Sequence, residues 1–406
     1  MLRTITEALF GLNLQNFDVL PFPLSKTFFK KSLTNFNKME LTQLILHNLI
    51  SFICIISLIV FIHELGHFLV ARWCGVKVEE FSIGFGRELL HRTDKKGTRW
   101  KLCLLPFGGY VKMFGDRNGA SVPDNEAIKK MTKADKKKSF LGKNVWQRMA
   151  IVAAGPIFNF LLAILIFTIL LKQNGLNTAL PIVDEVLPES SAFEAGLQKG
   201  DKILEINSSK ISDFDELRSI ISISAERELL FKIERDSKVF EIKITPRSQL
   251  RQDMFGENVK MGTLGVTASA IVSKDLNLAQ SFVEANKQVY KASMSIFQVL
   301  GELVVGKRSV EELGGPIKIA KYSGKTVEMG WQVVFWFMAM ISINLGVMNL
   351  LPVPVLDGGH LFFYLIEAIR GKPLSQKVQN FCFQVGFALI LSLMILTTIN
   401  DVRGLF

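Results

Sequence analysis

Four runs without a charged residue, at 41–62, 149–171, 331–356 and 381–399, constrain this chain more than any other feature. Each is long enough to cross about 30 Å of hydrocarbon as a helix. At 406 residues, with 49% hydrophobic and 21% charged residues, the remainder is too polar for the whole chain to lie in lipid. A polytopic α-helical membrane protein with about four transmembrane helices and a soluble part is expected.

The net charge of +11 is unevenly placed. Residues 71–148, between the first two runs, hold 18 Lys and Arg against 8 Asp and Glu, whereas residues 173–330 hold 20 against 22. Basic residues beside spans stay on the cytoplasmic side, so the first loop is expected in the cytoplasm and the long segment after the second span outside it. Contact of the Lys136-Lys137-Lys138 run with the lipid bilayer explains the charge without nucleic acid. The cysteines at 54, 74, 103 and 382 form no C-x-x-C pair, and none falls in the outer segment, so no disulfide framework is implied.

Residues 1–40 lack the order of a signal peptide and put Lys26, Lys30, Lys31 and Lys38 on the side expected to be poor in lysine. They are read as an N-terminal extension with a mis-assigned start, the natural start being Met39. N-terminal sequencing that found residues before 39 would reject this.

The first apolar run leads directly into His63-Glu64-Leu65-Gly66-His67. Residues four apart share a helix face, so both imidazoles can meet one metal ion, and Glu64 can act as general base on a water at that ion. Two histidines and a glutamate could instead merely end an apolar helix. Ionisable groups at membrane depth cost about 2.5 to 3.5 kcal/mol each, so three together call for a compensating metal.

A catalytic zinc takes a third protein ligand and keeps an open position. The third run ends in Pro352-Val353-Pro354-Val355-Leu356-Asp357-Gly358-Gly359-His360, which places Asp357 at a depth comparable with His63, since spans one and three run the same way. The prolines break the helix and the glycines let the backbone bend closely. Asp357 is the favoured third ligand and His360 its rival, unless His360 caps the next helix or supports a ligand from behind. Asn159 and Asn349, amides within spans, need polar partners; they either bond neighbouring helices or serve a substrate. Trp100, Leu102 and Leu104 alternate with polar positions as in a strand, and Gly108 and Gly109 permit a backbone to come close.

These residues resemble the site-2 protease family of intramembrane metalloproteases, peptidase family M50, and within it the bacterial sigma-E regulator proteases. The likeness covers H-E-L-G-H at 63–67, F-S-I-G-F-G at 81–86, P-F-G-G-Y-V-K-M at 106–113 and A-A-G-P-I-F-N-F at 153–160. It continues through G-G-P-I at 314–317 and N-L-L-P-V-P-V-L-D-G-G-H at 349–360. The resemblance implies Zn2+ held by His63, His67 and Asp357, with Glu64 as base. It implies a membrane-associated β element around Gly108 and Gly109 that guides substrate, and a role for Asn349 near the substrate backbone or developing oxyanion. Asn159 joins these as a substrate-binding candidate.

The outer segment contains Ala192-Phe193-Glu194-Ala195-Gly196-Leu197 and Lys199-Gly200-Asp201-Lys202-Ile203-Leu204-Glu205-Ile206-Asn207, which resemble the core signature of bacterial PDZ domains, with Gly196 and Gly200 at turns and Ile203, Ile206 and Ile211 buried. The expected organisation is an extension at 1–40, a first part of the protease core at 41–172, one inserted α/β PDZ domain at 178–248, a linker with a membrane-surface helix at 249–330, and the second part of the core at 331–406. The implied function is regulated intramembrane proteolysis in the bacterial inner membrane. Its substrates would be single-span membrane proteins, such as anti-sigma factors or remnant signal peptides, after a site-1 type protease has cut outside. The rival readings are a membrane-bound PDZ adaptor with a structural metal and a transporter with an acidic proton relay, the latter weakened by the small number of spans.

Overall fold

The computed structural model describes residues 26–116, 131–252, 258–268, 271–306, 310 and 313–403; residues 1–25 of the expected extension lie outside this range. Among the described residues, four helices are long and apolar enough to cross a membrane: Gln43–Trp73, Val145–Asn174, Trp331–Leu350 and Gln376–Arg403. The first belongs to α1 (Lys26–Trp73), and the others are α3, α8 and α10. Their apolar character is not confined to one stripe. Leu389 and Ile395 of α10 stand more than half exposed, on faces that lipid would cover. α8 stops at Leu350 rather than running to 356, because Pro352 has no amide hydrogen to continue the helix.

The chain divides into two compact units. The first combines the residues up to Phe167 with Ala285–Phe406. Its β1 (Val78–Thr93) and β2 (Arg99–Met113) are long, bent and irregular in register, so that Phe81 lies opposite both Val111 and Trp100. Residues 78–83 therefore sit between 99–102 and 109–113. Phe68, Ala71, Val78, Phe81, Val111, Met113, Phe140 and Ile151 form the core that joins this sheet to α1 and to the start of α3. Phe68, Phe81 and Trp100 pack ring to ring, at 4.4 to 5.5 Å between centroids.

The hairpin tip is tied to the end of α1 by Arg72, which pairs with Asp94 and bonds Thr98 Oγ1 at 2.9 Å. Burial opposes ionisation of Asp94, but the backbone amides of Thr98 and Lys96, with Arg72 and Trp100, hold its pKa at about 2. In the same unit α7 (Pro316–Met329) packs against α1, and Gly315, Ile317 and Lys318 donate their amides to the Asp401 carboxylate of α10 at 2.7 to 3.0 Å. This satisfies the free amides at the start of α7.

Thr168–Glu284 form the second unit. Its four-stranded sheet has the order β6 (Ser209–Lys210), β5 (Lys202–Ile206), β7 (Leu229–Arg235) and β8 (Lys238–Ile244). Leu229, Phe231 and Ile233 alternate inward onto Ile203, Ile206, Phe214 and Leu217, the period-two burial of a half-covered sheet. Gly196 and Gly200 take positive φ at the two turns where glycine was expected. Asp201, fully buried, accepts from Arg235 Nε at 2.6 Å and from the Gln198 amide at 2.8 Å. The stretch after 248, read above as a linker, continues in strands: β11 (Val266–Ala268) pairs with β4 (Val183–Val186), and β12 (Ile271–Lys274) with β3 (Leu176–Ala179).

Candidate metal centre

α1 continues unbroken through the H-E-x-x-H residues, so His63 and His67 lie one turn apart on one face. Their rings meet edge to face with centroids 4.8 Å apart, and the two Nε2 atoms are 3.2 Å apart. Asp357 arrives from the other end of the chain, as the first residue of α9 (Asp357–Arg370). Its Oδ2 stands 3.2 Å from His63 Nε2 and 3.5 Å from His67 Nε2. His63, His67 and Asp357 are the one group of three metal-ligating side chains gathered within 4.8 Å among the described residues.

This trio suits a cation. Asp357 Oδ2 is buried with no hydrogen bond, although two ring nitrogens face it. Three lone-pair donors converging in a space with little water are costly unless a positive ion lies between them. Gly155 of α3 supplies the room. A Cβ there would lie 2.3 Å from His67 Nε2 and 2.8 Å from His63 Cε1.

Each ring is also held from behind. His67 Nδ1 lies 2.9 Å from the Ile151 carbonyl, and His63 Nδ1 lies 3.1 Å from Asn159 Nδ2, so the Asn159 amide is engaged with a site histidine. The main-chain carbonyl of Asn159 accepts from Ser342 Oγ of α8 at 2.9 Å.

The turn that delivers Asp357 is compressed. Cβ atoms at Gly358 and Gly359 would lie 2.2 Å from the Leu351 carbonyl and 2.4 Å from the Val353 carbonyl. Val355 has φ of 91°, a backbone state that a β-branched side chain adopts only when its surroundings force it. α9 is then pinned to the start of α3 by Arg148. Its guanidinium donates to both Glu367 oxygens, at 2.6 and 3.1 Å, and lies 4.8 Å above the Tyr364 ring.

A cavity of about 200 Å³ opens on the trio, lined by Glu64, Gly109, Tyr110, Val111 and Met113, and by Phe140, Val355, His360 and Tyr364 among others. Gly109 presses against the base candidate, since a Cβ there would lie 2.8 Å from Glu64 Cγ. Gly108 and Asn349 are not among the lining residues; Asn349 sits half-buried in the last turn of α8. His360, the rival ligand, lines the cavity but stands among aromatic rings, 5.2 Å from Phe383 and 6.4 Å from Tyr364. Behind Met113, Asp116 accepts the Met113 amide at 3.2 Å. Its other oxygen is buried without a partner, and burial raises its pKa to about 7.

Sequence reasoning missed Gly155, Arg148, Tyr364 and Glu367 as parts of this arrangement. Only Gly155 left a local signal, a glycine before Pro156 inside an otherwise bulky apolar run.

Comparison with known proteins agrees with this geometry. The pattern of peptidase family M50 matches residues 51–393. A protein of Agrobacterium fabrum with the provisional name of a zinc metalloprotease is 40% identical over 361 residues, covering 88% of this chain and 96% of its own length. One of Rickettsia conorii, with the same kind of name, is 41% identical over 362 residues, at 88% and 99% coverage. Metalloprotease MmpA of Caulobacter vibrioides is 36% identical over 378 residues, at 87% and 95%. With a matching pattern over most of its length and such relatives at this identity, the chain belongs to peptidase family M50 and is a zinc metalloprotease.

Proposed function

We propose that this protease cuts single-span membrane proteins within the bilayer, as the second step of regulated intramembrane proteolysis. The observation that carries the proposal is the position of the three converging donors and Glu64: all open on one cavity, and two of the donors belong to a membrane-spanning helix. His63, His67 and Asp357 would hold the zinc, which when bound supplies Lewis acidity toward the scissile carbonyl and lowers the pKa of a water. Glu64 takes the proton of the attacking water and hands it to the departing amide nitrogen.

A substrate helix must be extended before its backbone can be attacked. Gly109, Tyr110, Val111 and Met113 line the cavity, and residues 109–113 pair on one side with 78–83; among the described residues no second strand pairs with them. Edge addition there would stabilise the extended substrate, with Gly108 and Gly109 allowing the approach. The resemblance of residues 349–360 to the family supports a role for Asn349 near the substrate backbone.

Residues 178–248, within the unit Thr168–Glu284, serve in this reading as a PDZ-type module outside the cytoplasm. Its antiparallel sheet, glycine turns and buried Ile203, Ile206 and Ile211 support that assignment. It would limit entry to substrates whose outer part a site-1 type protease has already removed, with anti-sigma factors and remnant signal peptides as the substrate classes. The basic first loop supports an orientation in the inner membrane with the active cavity toward the cytoplasm.

The test is cleavage of a detergent-solubilised single-span substrate by the wild type and Glu64→Gln, with zinc measured in both. Cleavage by the wild type alone, at equal zinc content, is expected. Zinc in both proteins with cleavage by neither, across several substrates, would refute the proposal in favour of a metal-stabilised adaptor.

A further inference from the structure

Both site histidines turn Nε2 toward Asp357, and what stands behind each ring decides whether that nitrogen can bind a metal. Behind His67 is the Ile151 carbonyl oxygen, 2.9 Å from Nδ1. A carbonyl only accepts, so Nδ1 of His67 carries the ring proton and Nε2 keeps its lone pair. Behind His63 is a side-chain amide instead, that of the fully buried Asn159.

An amide offers a donor at one end and an acceptor at the other. With Nδ2 toward the ring, at 3.1 Å, His63 Nδ1 must accept, its proton sits on Nε2, and the ring has no lone pair for a metal. In that orientation Asn159 Oδ1 is buried without a partner. Turned about its last bond, the same amide accepts from Nδ1–H through Oδ1 and leaves Nε2 as a ligand, as on His67.

We propose that Asn159 is the positioning residue of His63. Its amide oxygen accepts the Nδ1 proton and so sets the tautomer in which Nε2 binds zinc. The inference rests on the three-ligand reading above and replaces substrate contact as the task of Asn159. Its main chain is tied to the third span, since the Asn159 main-chain carbonyl accepts from Ser342 Oγ at 2.9 Å.

Zinc affinity is to be measured by chelator competition on the purified full chain as wild type, His63→Ala, Asn159→Leu and Asn159→Asp, together with metal-free melting temperature, KM and kcat. Leucine has nearly the shape of asparagine and no acceptor. It is expected to weaken zinc binding about 10- to 100-fold without lowering the metal-free melting temperature. Aspartate only accepts and is expected to bind zinc at least as tightly as the wild type. Wild-type affinity in Asn159→Leu with a raised KM would overturn the inference and return Asn159 to the substrate. Equal losses in the leucine and aspartate proteins would overturn it as well, since aspartate restores the acceptor. If His63→Ala itself left zinc affinity unchanged, the three-ligand reading would fall instead.

Discussion

Gly155→Ala adds one methyl group to the membrane core and should disable the metal centre without weakening the helix that carries it. The new Cβ would lie 2.3 and 2.6 Å from His67 Nε2 and Cε1, and 2.8 Å from His63 Cε1, whereas ordinary contact begins near 3.4 Å. His67 must therefore retreat by about 1 Å. Its other side is closed, because Nδ1 is held by the Ile151 carbonyl and Phe68 and Ala71 are packed on the same helix. Zinc–nitrogen bonds are held near 2.0 to 2.1 Å, so a shift of this size breaks the ligand geometry; in catalysis a misplacement of about 1 Å can cost about 10²-fold. We expect zinc affinity to fall at least about 100-fold, with proteolysis lost in proportion. Alanine is a better helix former than glycine by about 0.8 to 1 kcal/mol, which offsets part of an overpacking cost of about 1 to 3 kcal/mol, so the metal-free protein should melt only slightly below the wild type. Chelator competition and thermal melting of the metal-free chain separate the two effects. Wild-type zinc affinity in Gly155→Ala would show that the ligands do not converge beneath this glycine.

Three further outcomes follow from the same geometry. Asp116, raised to about 7 by burial, stays protonated in the fold where the unfolded chain is ionised. The folded state therefore binds more protons between about pH 4 and 7, stability falls as pH rises through that window and is level above it, and Asp116→Asn should abolish the slope in melting temperature against pH. Gly324→Ala would set a Cβ 1.7 Å from Asn48 Oδ1 and 3.1 Å from Asn48 Cα, where α7 meets α1. It should destabilise the membrane unit by about 1 to 3 kcal/mol in detergent unfolding, and Asn48→Ala on top should recover part of the loss. Val355→Gly should relieve about 1 to 3 kcal/mol of backbone strain, less the larger entropy glycine brings to the unfolded chain, so the metal-free melting temperature rises while chelator competition shows weaker zinc binding as the turn before Asp357 loosens.

The sequence revealed those parts of the candidate site that are local. His63, Glu64 and His67 are legible because i, i+4 spacing on a helix is a geometric statement, and Asp357 because a carboxylate ends an uncharged run beside two glycines. The same logic found the four spans, whose length and hydropathy need no partner to be recognised. It overran the third by six residues, reading Pro352 as a break within the span rather than its end. Arg148 and Glu367 escaped because they are 219 residues apart, and nothing near either announces the other. The short strands after 248 escaped for the same reason: Val266 finds its partner at Val186, and three or four residues carry too little periodicity to be seen alone.

The non-local part was not wholly silent, however. In lipid the helices gain no hydrophobic energy by meeting, so close approach has to come from van der Waals contact between small residues. In this chain the crossings around the site fall at glycine. A Cβ at Gly66 on α1 would lie 2.4 Å from the Ala154 carbonyl of α3, one at Gly346 on α8 would lie 3.1 Å from Phe160 of α3, and one at Gly386 on α10 would lie 2.2 Å from the Pro354 carbonyl in the turn before Asp357. Gly66 separates the two parts of the metal motif, Gly386 backs the strained turn, and Gly155 roofs the ligands. Since glycine lowers helix stability relative to alanine, a glycine within an apolar span is a cost that only a neighbour's proximity offsets. The positions of Gly66, Gly155, Gly346 and Gly386 thus mark in the sequence itself where four distant segments come together on one candidate metal centre.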